Sequence, residues 1–188
     1  TQHPAVVSAH SMILRPKGKL IHPDFLPCFL QSSTFWKVAL SISEGSLSPT
    51  IKWKTLAKQE FVIPPLEEQK RIENLYTSIY NFVEGILGSL KRKKRFTIEK
   101  GFEIVKEIVH TENAANILYG KAVQGKGIPD NLAAHSANVC IYSLLLGRGA
   151  NYSEGQLAEL GVTALLHDIG MIFVPKGIVN KKGKLTTP

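Results

Sequence analysis

The feature that most constrains this chain begins just after Pro64-Pro65. Ile72, Tyr76, Ile79, Val83, Ile86 and Leu90 recur at spacings of 4, 3, 4, 3 and 4. At 3.6 residues per turn that series lines one face, so the chain must hold a long helix with something laid against it. Pro65 at its start, Glu67 and Glu68 in its first turn, and Lys91-Arg92-Lys93-Lys94-Arg95 at its end all suit the helix dipole. Two partners fit the pattern equally: the body of the same domain, or a second helix, because the repeat spans under three heptads. The basic run reads as a solvated helix end, with a phosphate-contacting patch as the alternative.

Ahead of that helix the pattern is mixed. Residues 6–14 are apolar and partly β-branched, residues 51–54 alternate, and residues 61–63 are apolar up to Pro64, so each is expected to be a short strand. Arg15-Pro16-Lys17-Gly18 is a turn. His22-Pro23-Asp24 opens a short helix carrying Phe25, Leu26, Phe29 and Leu30, and residues 35–42 form another. A polar loop covers residues 43–49. From residue 102 onward the pattern is helical, over 102–109, 132–146 and 156–169, broken by Gly125-Lys126-Gly127-Ile128-Pro129 and stopped at Gly147, Gly149 and Gly170.

Of the 188 residues, 44% are hydrophobic, enough for ordinary globular cores, which excludes wholesale disorder. No stretch approaches the roughly 20 apolar residues that cross a bilayer, and no signal-peptide pattern is present. Cys28 and Cys140 each sit in an apolar helical pattern and read as buried, reduced thiols, which suits a cytoplasmic protein. Thr1 and the run Lys184-Leu185-Thr186-Thr187-Pro188 are expected to be interior points of a longer chain. Charge is uneven: residues 1–100 hold fifteen Lys and Arg against eight Asp and Glu, and residues 101–188 hold eight against seven. Any nucleic-acid affinity therefore belongs mainly to the first half.

The run Gly45-Ser46-Leu47-Ser48-Pro49-Thr50-Ile51, then Leu56, then Phe61-Val62-Ile63-Pro64-Pro65-Leu66-Glu67-Glu68-Gln69-Lys70-Arg71-Ile72 resembles the specificity subunit of type I restriction-modification systems. The resemblance covers roughly residues 5–95 and implies the end of a DNA target-recognition domain followed by a spacer helix. It also implies pairing with a second spacer helix and docking of methyltransferase subunits. Lys, Arg and small hydroxyl residues on loops are the types that contact phosphates and base edges. Arg15, Lys17, Ser43, Ser46, Ser48, Lys52 and Lys54 are the candidates.

In the second half, His167-Asp168 closes the run Leu160-Gly161-Val162-Thr163-Ala164-Leu165-Leu166. Neighbouring side chains on a helix point about 100° apart, so both can reach one metal. Imidazole with carboxylate suits a divalent transition metal. A third ligand must come from another helix, and His135, ahead of Ser136-Ala137-Asn138-Val139, is the natural candidate. The extended string His135-Ser136-x-x-Val139, Ala164 to Gly170, Val174-Pro175 and Lys181-x-Gly183-Lys184-Leu185-Thr186 resembles the HD superfamily, in its HD-GYP branch.

That resemblance covers about residues 102–188. It implies a centre of two or three metal ions, Mn, Fe or similar, hydrolysing a phosphodiester, in this branch cyclic di-GMP. His135, His167 and Asp168 would be ligands, with Asp168 the bridging and catalytic carboxylate. Lys181 and Lys184, with Lys176 and Lys182 nearby, are candidates to meet phosphate. The pattern departs from the family where Met171 replaces a Lys and Asn131 stands where three-metal members have Glu. Further family ligands and the Gly-Tyr-Pro motif would fall beyond residue 188, which implies a truncated site with weak or lost hydrolysis.

The expected architecture is an α+β fragment followed by a long helix, then an all-α HD-type helical bundle fragment. The domains are a partial target-recognition domain over 1–65, a spacer helix over 66–98, and a truncated HD domain over 99–188. The leading function is a metal-dependent phosphodiesterase fused to a DNA-specificity fragment. The alternative is a non-catalytic DNA-binding specificity subunit. A fused pair with neither activity would keep its halves apart.

Overall fold

A computed structural model describes residues 14–17, 19–45, 50–124, 131–179, 181 and 183. The described chain is mostly helical. Its elements are α1 (Phe25–Gln31), α2 (Ser33–Ser41), α3 (Trp53–Leu56), α4 (Leu66–Lys91), α5 (Glu99–His110), α6 (Ala114–Gln124), α7 (Leu132–Gly149), α8 (Glu154–Leu166), a 3₁₀ turn (Ile169–Phe173) and α9 (Lys176–Val179).

The expected long helix is α4, and the structure decides what covers its seam. Ile72, Tyr76, Ile79, Val83 and Ile86 are all buried in the chain's own core, against α5, α6, α7 and α8. Those side chains are therefore withdrawn from pairing with a second helix. The basic run from Lys91 to Arg95 is exposed throughout, as a solvated helix end should be.

The α+β expectation for the first half is corrected, since no strand occurs among the described residues. Lys52 is the N-cap of α3, so residues 53 and 54 turn helical where a strand was expected. Residues 61–63 are irregular. Phe61 packs edge-on to Phe29 and stacks near Phe35, while Val62 is 96% exposed. Alternation describes a strand only when a partner accepts its ladder bonds, and aromatic packing has claimed this segment instead. Among the described residues an isolated bridge joins Glu44 to Thr50. The expected strand over 6–14 lies outside the described residues apart from Leu14, which has no regular structure.

The core is continuous. Phe25, Cys28 and Phe29 of α1 join Ile104 and Ile108 of α5, Leu118 of α6, Ile141 and Leu144 of α7, and Leu165 of α8 in one buried cluster. α1 lies directly on α6, so the expectation that fused halves would stay apart fails here. Gln69, fully buried on α4, fixes the segment ahead of α1. Its Nε2 donates to the carbonyls of Leu20 and Pro64 at 2.8 Å each, and its Oε1 accepts from the His22 N–H at 2.8 Å. Cys28 and Cys140 are both free and buried, as their patterns predict.

Candidate metal centre

The site is built by a hairpin of two helices. α7 begins at Asn131, whose Oδ1 accepts from the Ala134 N–H at 3.0 Å and caps the helix. Its Nδ2 donates to the Tyr80 hydroxyl at 2.9 Å and to Glu84 at 3.4 Å, pinning the start of α7 to α4. The residue that departs from the three-metal pattern thus has a structural task of its own. α7 ends near Gly149, the chain turns through Asn151 at positive φ, and Ser153 with Gln156 forms a capping box that starts α8.

Register then brings the three candidate residues together. From His135 to the end of α7, and from the start of α8 to His167, are runs of similar length, each about 20 Å at 1.5 Å per residue. The returning helix therefore delivers His167 beside His135. The sequence reading is corrected in one respect: α8 stops at Leu166, so His167 and Asp168 are not adjacent residues inside one continuing helix. His167 keeps helical angles as C-cap, and Asp168 breaks away at φ −113°, ψ 11° into the 3₁₀ turn. Gly170 sits inside that turn and does not end the structure.

His167 Nε2 lies 3.3 Å from Asp168 Oδ2, and His135 Nε2 lies 3.7 Å from the same oxygen. The two imidazole rings are 5.3 Å apart and tilted by 48°. One ligand atom from each of the three residues falls within 4.8 Å of the other two. His167 Nδ1 meets the Ala164 carbonyl at 2.7 Å. A carbonyl only accepts, so Nδ1 carries a proton, which leaves Nε2 as the ring atom available to a metal beside Asp168.

This donor set fits a divalent metal. Donors at about 2.1 Å from one ion stand roughly 3.0–3.5 Å from one another, near the observed separations. Two imidazoles and a carboxylate suit Mn, Fe or Zn. The side chains of His135, His167 and Asp168 are 54%, 34% and 41% exposed, so the site opens to solvent on one side.

The other candidates are placed less tellingly. Lys181 is exposed after α9, and its N–H donates to the Ile178 carbonyl. Lys184 and Lys182 lie outside the described residues, as do Ser46 and Ser48. Of the DNA candidates, Lys52 pairs with Glu44 at 2.7 Å, and the Ser43 hydroxyl donates to the Leu40 carbonyl at the end of α2. Both have local structural uses. Arg15, Lys17 and Lys54 are exposed. Met171 is partly exposed in the 3₁₀ turn.

Sequence reasoning missed a second convergence, of His22, Asp24 and Glu73. In the sequence His22 and Asp24 mark only the opening of a short helix. Glu73 stands beside Ile72 at the edge of the apolar face of α4, where the period of the seam hides it.

Two curated proteins are similar to part of the chain. A cyclic di-GMP phosphodiesterase of Pseudomonas aeruginosa is 44% identical over 54 residues, which are 29% of this chain and 13% of that protein. A 3'3'-cGAMP-specific phosphodiesterase of Vibrio cholerae is 39% identical over 67 residues, 36% of this chain and 14% of that protein. These matches support an HD-GYP-like region. The chain thus matches about a seventh of either relative's length. Neither match bears on the resemblance to restriction specificity subunits. No family model matches the chain, and no solved structure does.

Proposed function

We propose that residues 99–188 belong to an HD-type phosphodiesterase domain in which His135, His167 and Asp168 hold a divalent cation. The observation that carries this is the convergence of their three ligand atoms within 4.8 Å, from two helices, at a half-open surface. A cation there would supply Lewis-acid activation of water and neutralise charge on phosphoryl oxygens. The chain's own part is positioning. The Ala164 carbonyl orients His167, the Asn131 cap and its bonds to α4 place the first turn of α7, and Asp168 Oδ2 faces both rings, where it can bridge.

The substrate class follows from the relatives, one named for cyclic di-GMP and the other for 3'3'-cGAMP. We assign this chain to cyclic dinucleotides, with Lys181 and Lys184 as phosphate contacts. No helix of the described chain is long and apolar enough to cross a membrane, and two buried thiols suit a reducing compartment such as the cytoplasm.

The test is incubation of the chain with Mn²⁺ or Fe²⁺ and cyclic di-GMP, with 3'3'-cGAMP in parallel, and chromatography of the products. Linear dinucleotide that forms with wild type and not with His167→Ala supports the reading. No product from either substrate with any metal overturns it for this chain.

A further inference from the structure

We propose that His22, Asp24 and Glu73 form a second divalent-cation site that ties the segment ahead of α1 onto α4. Their ligand atoms lie within 4.8 Å of one another, and His22 Nδ1 stands 3.5 Å from Glu73 Oε2. A second observation points the same way. His22 Nδ1 and Glu73 Oε1 are both shielded from solvent, and neither has a hydrogen-bond partner among the described residues. Buried polar atoms are nearly always paired, and buried charges pair or coordinate metals. Two such atoms, on side chains 3.5 Å apart and beside the Asp24 carboxylate, make the arrangement of a ligand set.

The surroundings prepare the site and do not fill it. Gln69, one turn before Glu73 on α4, accepts from the His22 N–H and donates to the Leu20 and Pro64 carbonyls, so His22 is delivered at a fixed place. Lys121 donates to the Glu73 backbone carbonyl at 3.4 Å and leaves Oε1 unpaired. Cys28 is not a fourth ligand: its thiol donates to the Asp24 carbonyl, and burial pushes it up to about 11. One imidazole and two carboxylates suit Zn²⁺, Mn²⁺ or Co²⁺.

This site is independent of the one at His167, so the full chain carrying His167→Ala is the background for the test. Zn²⁺ alone is the probe, read by equilibrium dialysis with elemental analysis and by thermal melting. The expected result is about one equivalent bound and a higher Tm with Zn²⁺. Adding Glu73→Gln or His22→Asn should weaken binding at least tenfold and remove the Tm shift. Helical content by circular dichroism checks folding, and Asp24→Asn, at an exposed position, serves if either half-buried variant fails to fold. Absence of Zn²⁺ uptake in the His167→Ala chain overturns the proposal, and so does unchanged uptake in the added variants. Loss of phosphodiesterase activity alone leaves these readouts unmoved, so the two proposals fail separately.

Discussion

Gly120 of α6 lies so close to Cys28 of α1 that a Cβ at Gly120 would overlap the Cys28 carbonyl oxygen and crowd its Cα. The contact joins a helix from the first half of the sequence to one from the second, and only a residue without a side chain permits it. The obstacle is backbone, which cannot swing aside as a side chain does. Gly120→Ala should therefore destabilise the fold by about 1–3 kcal/mol, the range for overpacking. Gly85, mid-helix in α4 with nothing within 4 Å, is the control. There Gly85→Ala should stabilise by about 0.5–1 kcal/mol through helix propensity alone. Urea unfolding of both variants checks the pair, and a stabilising Gly120→Ala would refute the close approach.

The seam of α4 makes a second prediction. Ile79 is fully buried against the chain's own helices. Ile79→Ala should cost about 2–5 kcal/mol, as large-to-small core changes do. The loss, and the wild-type melting temperature, should not depend on protein concentration. A seam between two copies would instead melt at higher temperature as concentration rises. Thermal melts over a hundredfold concentration range separate the two.

The sequence made α4 legible because its pattern is long and strictly periodic, and its start and stop signals agree. It left open what covers the seam, because periodicity names a buried face without naming a partner. His135, His167 and Asp168 were nameable by residue type and resemblance, while their convergence depends on the lengths of α7 and α8 and on the turn between them. The strands over 51–54 and 61–63 misled because short apolar runs do not specify ladder partners. Phe29 and Phe35 competed for Phe61 and won. The cluster at His22 was hidden because its members lie about 50 residues apart on unrelated patterns.

Alkaline pH should weaken the fold through Cys140 and Tyr76. Burial pushes the Cys140 thiol up to about 12 from an ordinary value of 9.0. Burial, with Tyr142 and Tyr80 nearby, pushes the Tyr76 hydroxyl from 10.0 to about 12. Both folded values lie above the unfolded ones. Their contribution is whole below pH 9 and is lost as pH rises through 9.0–10.0 toward 12, because only the unfolded chain ionises easily. The urea midpoint should fall steadily across that window, and Cys140→Ala should flatten the slope whatever its own effect on stability. A midpoint that stays level there would refute the assignment.

The sharpest prediction concerns what each member of the triad contributes. His135, His167 and Asp168 are all partly exposed, so replacing them should alter stability by no more than about 0.5 kcal/mol. Their effect on metal should be large, because one ligand lost from three leaves too few donors to replace the ion's water shell. Mn²⁺ affinity, measured by titration calorimetry, should fall at least tenfold in His135→Ala, His167→Ala and Asp168→Asn alike. Asp168→Asn is the informative member, since it keeps the shape and removes the charge facing both rings. In a metal centre its loss matches that of a missing imidazole. In a simple ion pair between Asp168 and the histidines, none of the three would bind Mn²⁺ differently from wild type. Double variants should lose little beyond the singles, because members of one coordination shell act as a unit and their losses do not add.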